Sequence, residues 1–269
     1  MSSRKLEVIK NQEKRLSRRL TVDTQEPYVS IRPIIKKADK EAAYTLSEAY
    51  ADNILLNWIT GAIKDKGKKF EMYQDIFKAL IRTAASESRE FAIQLNGCKG
   101  VLLWSEGHSD ILSVGNVMSK KRLWGSLGGL ATMRATLIHH RHLSKMKKRM
   151  MAGRDHLSVN FIGVLPAERK HGVGSHLLKY VLKKADQVQL PVFAEVWGNT
   201  CLGWFQKFGF EVRAEKNLSD KEKVCIYYMV REPEFNPETP STTTTTTTDL
   251  MAALKLEPPR EDSFASIQD

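Results

Sequence analysis

Apolar residues recur along the chain at two spacings, and the changes between them predict most of its elements. Tyr28 to Ile34 alternates apolar with polar positions and carries Val29, Ile31 and Ile34, which predicts a strand. Asp39 reads as an N-cap, with Ala42, Ala43, Leu46, Ala49 and Tyr50 at helical spacing behind it. A second amphipathic helix covers Phe70 to Ala85, with Phe70, Tyr73, Phe77, Leu80 and Ile81 on one side. Phe91 to Leu95 and Val101 to Trp104 read as two strands joined across Asn96-Gly97. A glycine-containing stretch, Gly125 to Gly129, leads into a long basic helix from Ala131 to Met151. His156 to Val164 is an apolar strand, Gly172 to Val188 a helix, and Val192 to Val196 a short buried strand. Thr200 to Phe208 reads as a short helix stopped by Gly209, and Phe210 to Ala214 with Val224 to Val230 close the pattern as two strands. This order predicts one mixed α/β (α+β) domain, because no polar or Pro-rich linker splits it.

The ends have a different composition. Arg4 to Arg19 is dense in Lys and Arg but has no apolar h-region, so residues 1–26 read as a solvated basic extension rather than a secretory signal. Leu6, Ile9, Leu16 and Leu20 share a helix face, as in a mitochondrial presequence, but Glu7 and Glu13 count against that reading. Residues 232–269 alternate Glu with Pro and contain a run of Thr from 242 to 248, the composition of a disordered acidic tail. The domain is therefore expected over residues 27–231.

Composition narrows the function class. The chain has 269 residues, 42 % hydrophobic and 27 % charged, which excludes collagen-like and wholly disordered readings. Its apolar runs fall short of the roughly 18 residues that a membrane span requires. Cys98, Cys201 and Cys225 are widely spaced, which points to a reducing, cytoplasmic setting and away from disulfides or a metal site. A formal net charge of +11 asks for an anionic partner.

The stretch from Val159 to Ser175 offers a place for one. A buried strand runs through Ile162, Gly163 and Val164 into a short polar loop, Arg169-Lys170-His171-Gly172-Val173-Gly174-Ser175, and a helix begins there. The first turn of a helix carries unpaired N–H groups and the positive end of the macrodipole. Gly172 and Gly174 remove side chains where backbone and ligand would meet, and three cationic-type residues stand beside them. A diphosphate suits such a site. The dinucleotide fingerprint fails because Leu177 stands where its third glycine belongs, and no G-x-x-x-x-G-K-[ST] run exists.

These residues resemble a known family. Val164-Leu165-Pro166 followed by R-x-x-G-x-G from Arg169 to Gly174 is similar to motif A of the GNAT superfamily of acyl-CoA-dependent N-acetyltransferases. Val192 to Val196, then Trp204 to Val212 with its GF pair, resembles the strand, helix and "FYxxxGF" block that follows there. His156, Glu195 and the closing hairpin are most similar to the puromycin N-acetyltransferase type, and Ala49 to Asn53 with Trp58 to fungal and bacterial members. The resemblance implies the GNAT acyl-CoA N-acyltransferase fold, a central mixed twisted sheet flanked by helices. It also implies acetyl-CoA as co-substrate and an amine acceptor, with a small molecule favoured over a protein.

The resemblance further implies roles. Backbone N–H groups of Arg169, Lys170, His171, Gly172, Val173, Gly174 and Ser175 would bind the pyrophosphate. Ile162, Gly163 and Val164 would pair with the pantetheine, Asn199 would add an amide contact, and Phe205 would touch the same arm. Glu195 is the candidate general base, with His156 second. The family's Tyr, which protonates the leaving thiolate, is Phe205 here and has no proton to give. That departure keeps open a catalytically weak acyl-CoA-binding module. A ribosome- or nucleic-acid-associated role for the basic helix is less favoured, since no aromatic-interleaved recognition motif accompanies it. The acceptor is expected between the N-terminal helices and the sheet, where Tyr44, Tyr50, Trp58, Trp104 and Trp124 are candidate walls.

Overall fold

The computed structural model describes residues 30–61, 63–107, 141–219 and 224–234. All of them lie in the first of the two units into which the chain divides, Met1–Glu234. The basic N-terminal extension, the Gly125 to Gly129 stretch, Trp124, the first half of the basic helix and the tail beyond Glu234 lie outside the described residues.

In chain order the elements are β1 (Ile31–Pro33), α1 (Asp39–Ala49), α2 (Ile54–Ile59), α3 (Lys66–Glu87), β2 (Ala92–Leu95), β3 (Gly100–Glu106) and α4 (Arg141–Met151). They continue with β4 (Leu157–Val164), α5 (Val173–Gln187), β5 (Val192–Trp197), α6 (Leu202–Gln206), β6 (Glu211–Ser219) and β7 (Val224–Arg231). The described strands form one sheet in the order β1-β2-β3-β4-β5-β7-β6. The β4–β5 pair is parallel and its neighbours are antiparallel, so the sheet is mixed, as expected for the fold.

Two glycines bring helices onto opposite faces of this sheet. A Cβ at Gly163 on β4 would stand 2.8 Å from Ala49 Cβ and 2.9 Å from Leu46 Cδ2, both on α1. A Cβ at Gly100 on β3 would stand 2.4 Å from Val173 Cγ1 on α5. α1 and α3 thus cover one face and α5 the other, with Leu46, Phe77 and Ile81 buried on the first and Leu177, Leu178 and Val181 on the second.

Local rules explain where the elements begin. Asp39 is not the N-cap. Ala38 is already in the helical region and caps α1 without a side-chain bond. Asp39 is the first helical residue, and its carboxylate takes the Arg82 guanidinium of α3 at 2.6 Å. α2 is too short for its period to show in the sequence. Its start is nonetheless marked by Asn53, whose side chain accepts from the Leu55 and Leu56 amides. α3 begins earlier than its apolar stripe because Asp65 caps an exposed first turn, accepting from Gly67 and Lys68. The β2–β3 loop runs through left-handed Asn96, Gly97 and Cys98, and Thr45 of α1 donates to the Cys98 carbonyl at 2.5 Å.

The central strand carries an irregularity. β3 and β4 pair Leu103 with Phe161 but Trp104 with Val159, so Asn160 is an extra residue, a β-bulge. Its side chain donates to Ser105 Oγ at 2.9 Å and to the Ser158 carbonyl at 3.3 Å. At the far end of α5, Arg231 forks onto Asp186 at 2.6 and 3.0 Å and holds the chain as it leaves β7.

Gly163→Ala is expected to lower stability by about 1–3 kcal/mol, because the added methyl must push α1 off the sheet. A denaturant midpoint equal to that of the native chain would show that α1 slides freely over β4.

Candidate functional site

The β4–β5 pair is short. Leu157, Ser158 and Val159 face Val192, Phe193 and Ala194, and the pairing stops there. β4 runs on to Val164 along β3, while β5 runs on to Trp197 along β7. The bulge at Asn160 falls where the two strands part, as a local increase in twist would produce. Between them lies an opening, with Asn160–Val164 on one side and Glu195–Trp197 on the other. An unpaired strand edge offers N–H and C=O groups to an extended ligand.

The loop at the C-terminal end of β4 is where the sequence reading expects an anion, and its conformation is that of a turn into a helix. After a short 3-10 turn at Pro166–Glu168, Lys170 and Gly172 adopt left-handed φ of 66° and 80°. Gly172 caps α5 without a side-chain bond, so the first-turn amides are not capped by the residue that usually does so. Arg169, Lys170 and His171 stand beside them, all three exposed. Arg169 also donates to the Ala49 carbonyl at 3.4 Å, which ties the loop to α1. A Cβ at Gly174 would touch Val164 at 3.4 Å and the Trp204 ring at 3.5 Å, so loop, strand and α6 meet there.

The residues expected to hold one ligand are therefore gathered: Ile162 to Val164 on the free edge and Arg169 to Ser175 at the loop after it. Asn199 lies between β5 and α6, and the Leu202 amide donates to its carbonyl at 3.2 Å. Phe205 is only 5 % exposed, packed between Trp204 at 4.9 Å and Phe210 at 5.2 Å. It is a core ring. His156 stands ahead of the closed β4–β5 pairs, its Nδ1 2.9 Å from the Arg154 carbonyl, and lines a cavity with Trp104 and Lys184. Trp104 faces α5, where Lys184 lies over its ring, rather than the helices expected to hold an acceptor.

Glu195 is the first β5 residue past the last β4 pair. Trp197 donates its indole N–H to Glu195 Oε1 at 2.5 Å. Directly across on β7 stands Tyr228, fully buried, with a hydroxyl that has no hydrogen-bond partner among the described residues. Burial holds the Tyr228 phenol well above its ordinary pKa, and the Glu195 charge adds to the rise. Tyr228 escapes a sequence reading because it sits in an apolar strand and carries no spacing signal.

Tyr50 closes the opening from the other side. It caps α1, and its ring packs edge-on or tilted against Phe77, Phe161 and Trp197 at 5.5 to 5.8 Å. Its hydroxyl accepts from the Ile162 N–H at 3.4 Å. Burial raises the Tyr50 phenol far above its usual range, the Ile162 amide opposes the rise, and Cys201 and Glu195 reinforce it. The sequence pattern offers Tyr50 as a helix-face aromatic and a wall residue; its contact with a β4 amide depends on tertiary packing and cannot be read there. Cys201 begins α6, its thiol raised by burial and lowered by Arg169. Cys98 is buried behind the β2–β3 loop, and burial pushes its thiol up to about 11.

Known proteins share this fold. Residues 130–210 match the acetyltransferase (GNAT) family model. A histone acetyltransferase HPA2 and related acetyltransferase structure from Corynebacterium glutamicum is 17 % identical, covers 78 % of this chain and 98 % of its own, and has a TM-score of 0.51. A mosquito arylalkylamine N-acetyltransferase like 5b is 11 % identical over 76 % of this chain and 99 % of its own, with a TM-score of 0.52. The Drosophila melanogaster polyamine N-acetyltransferase, which forms N-acetylagmatine, is 11 % identical with the same two coverages and a TM-score of 0.51.

The chain has the GNAT fold.

The parted strands and the loop after β4 are its candidate working parts. Among curated proteins, a probable serine/threonine-protein kinase of Dictyostelium discoideum is 25 % identical over 219 residues, 76 % of this chain and 23 % of the kinase. The chain thus spans about a quarter of the length of that curated relative. Among the described residues of the GNAT sheet and its helices, no helix is long and apolar enough to cross a membrane.

Tyr228→Phe removes a buried hydroxyl with no protein partner among the described residues. It is expected to leave stability unchanged or raise it by up to about 1 kcal/mol in a denaturant titration. A loss of more than about 1 kcal/mol would show that the hydroxyl is held by a structural water.

Proposed function

We propose that the chain transfers an acetyl group from acetyl-CoA to a primary amine by direct attack in a ternary complex. The observation that carries this reading is the parting of β4 from β5 directly ahead of an uncapped helix N-terminus. The residues fit the group they would hold. The amides of Arg169 to Ser175, with the α5 macrodipole behind them, suit a diphosphate; Gly172 supplies the left-handed turn into α5, and Gly174 lets the helix start pack closely on Val164 and Trp204. The free edge at Ile162 to Val164 can pair with an extended pantetheine as an added strand, leaving one N–H to polarise the thioester carbonyl. Acetyl-CoA would supply an acetyl group activated as a thioester.

Glu195 then has a defined task. It lies on β5 directly past the last pair with β4, opposite Tyr228 of β7, and its carboxylate takes the Trp197 indole N–H. It accepts the proton that the attacking amine must lose, directly or through a water. The puromycin N-acetyltransferase-like subtype, a small-molecule acceptor and a cytoplasmic setting are part of the same proposal. The aromatic rings of Tyr50, Phe161 and Trp197 beside one carboxylate suit a cationic amine on an apolar scaffold. Arylalkylamines and polyamines, named for two proteins of the same fold, are therefore the first acceptors to try.

A second reading has its own observation. Phe205 has no hydroxyl and is sealed in the core, which would suit a GNAT-fold module that binds acyl-CoA without turnover.

Acetyl-CoA is expected to raise the thermal midpoint, and thiol release from it is expected to saturate with at least one amine of a broad panel. Binding without release for every amine would favour the second reading. Glu195→Gln is expected to lower kcat by about 10²-fold or more with acetyl-CoA affinity unchanged. A pH–rate profile identical to that of the native chain would remove Glu195 as the base. Gly174→Glu places a carboxylate at the anion site and is expected to weaken acetyl-CoA binding by at least about tenfold, with Gly174→Ala as the folding control. Retained affinity would overturn the loop assignment.

A further inference from the structure

Acetyl transfer from a thioester leaves a thiolate, and the aromatic ring at Phe205 has no proton for it. Among the described residues, Tyr50, Tyr228 and Cys201 carry O–H or S–H groups close to Glu195 or to one another. Tyr228 stacks on Phe193, which lies within the closed β4–β5 pairs. Cys201 is an exposed residue at the start of α6. Tyr50 differs from both, because its hydroxyl is already bonded to an amide of the free β4 edge.

We infer that Tyr50 is a further catalytic residue, the donor of the proton to the leaving sulfur, reached from α1 rather than from α6. The inference rests on the proposed acetyl transfer. Tyr50 accepts from the Ile162 N–H, so its own O–H proton is not committed to that bond. A thioester carbonyl that takes the Ile162 N–H displaces the hydroxyl from the amide and leaves it beside the adjacent sulfur. The ring cannot swing far, since Phe77, Phe161 and Trp197 hold it on three sides.

The proton and electron balance closes on groups already present. The amine nitrogen forms its bond to the carbonyl carbon, the C–S bond breaks, and its electron pair leaves on sulfur. The Tyr50 O–H proton passes to sulfur as the S–H bond forms. The phenolate takes up the proton that Glu195 accepted from the amine, so neither side chain changes charge over the cycle. Burial and the nearby Glu195 charge disfavour a lasting Tyr50 phenolate. This keeps the hydroxyl protonated at neutral pH and requires its proton to be replaced within the same turnover.

Tyr50→Phe keeps the ring and removes only the hydroxyl. The expected result is a fall in kcat of about 10²-fold, with the solvent deuterium isotope effect on kcat reduced. Acetyl-CoA affinity, measured by calorimetry, is expected to be equal or tighter, because the Ile162 amide loses a competitor. A weakened acetyl-CoA affinity with an unaltered isotope effect would mean that Tyr50 only shapes the cleft, and would overturn the inference. Native turnover with kcat retained in Tyr50→Phe would overturn this inference alone. A native chain that binds acetyl-CoA but releases no thiol with any amine would overturn the acetyl-transfer reading and this one together.

Discussion

Three residue pairs between β4 and β5 hold together the two halves of the sheet, and the opening proposed to take the ligand lies beyond the last of them. On one side, β1 to β4 form an antiparallel unit; on the other, β5, β7 and β6 form another. Parallel strands need a crossover, and α5 supplies it, entering from the loop after β4 and returning the chain to β5. The same crossover that makes the pair parallel therefore sets a helix N-terminus at the open end. Joining and opening follow from one connection.

That connection is the most legible part of the sequence. Gly172 and Gly174 sit between a run of apolar residues and a helical period, and a strand–turn–helix arrangement uses both. The same holds for Gly209, whose φ of 80° comes after α6 as a stop signal should. Legibility fails where structure depends on contacts rather than period. α2 escapes because one and a half turns carry no stripe. Asp39 resembles a cap by type and position, but the preceding turn has already begun the helix, leaving its carboxylate for Arg82.

The site divides in the same way. Its backbone elements can be read locally, because amide groups and glycines act through conformation. Its side chains cannot. Glu195 emerges only through a resemblance, and Tyr228 opposite it does not emerge, since a tyrosine in an apolar strand reads as core until the fate of its hydroxyl is known. Gly163 is expected to serve a ligand, and the structure shows that it also permits α1 to lie against the sheet. One residue thus stands both under the packing of the first helix and on the edge that faces the opening.

Asn160 shows why a strand cannot always be read from itself. Side chains on a strand alternate with a period of two, a reading frame in which Ser158 and Phe161 belong to opposite faces. The bulge shifts that frame by one, and β3, which alternates without interruption, records the shift. Ser158 faces Ser105, Phe161 faces Leu103, and both lie on the α1 side. Removal of Asn160 would leave Val159 followed directly by Phe161, so strict alternation would return with Phe161 and Gly163 still on the α1 side. The extra residue adds twist where β4 leaves β5 without changing which face its neighbours serve.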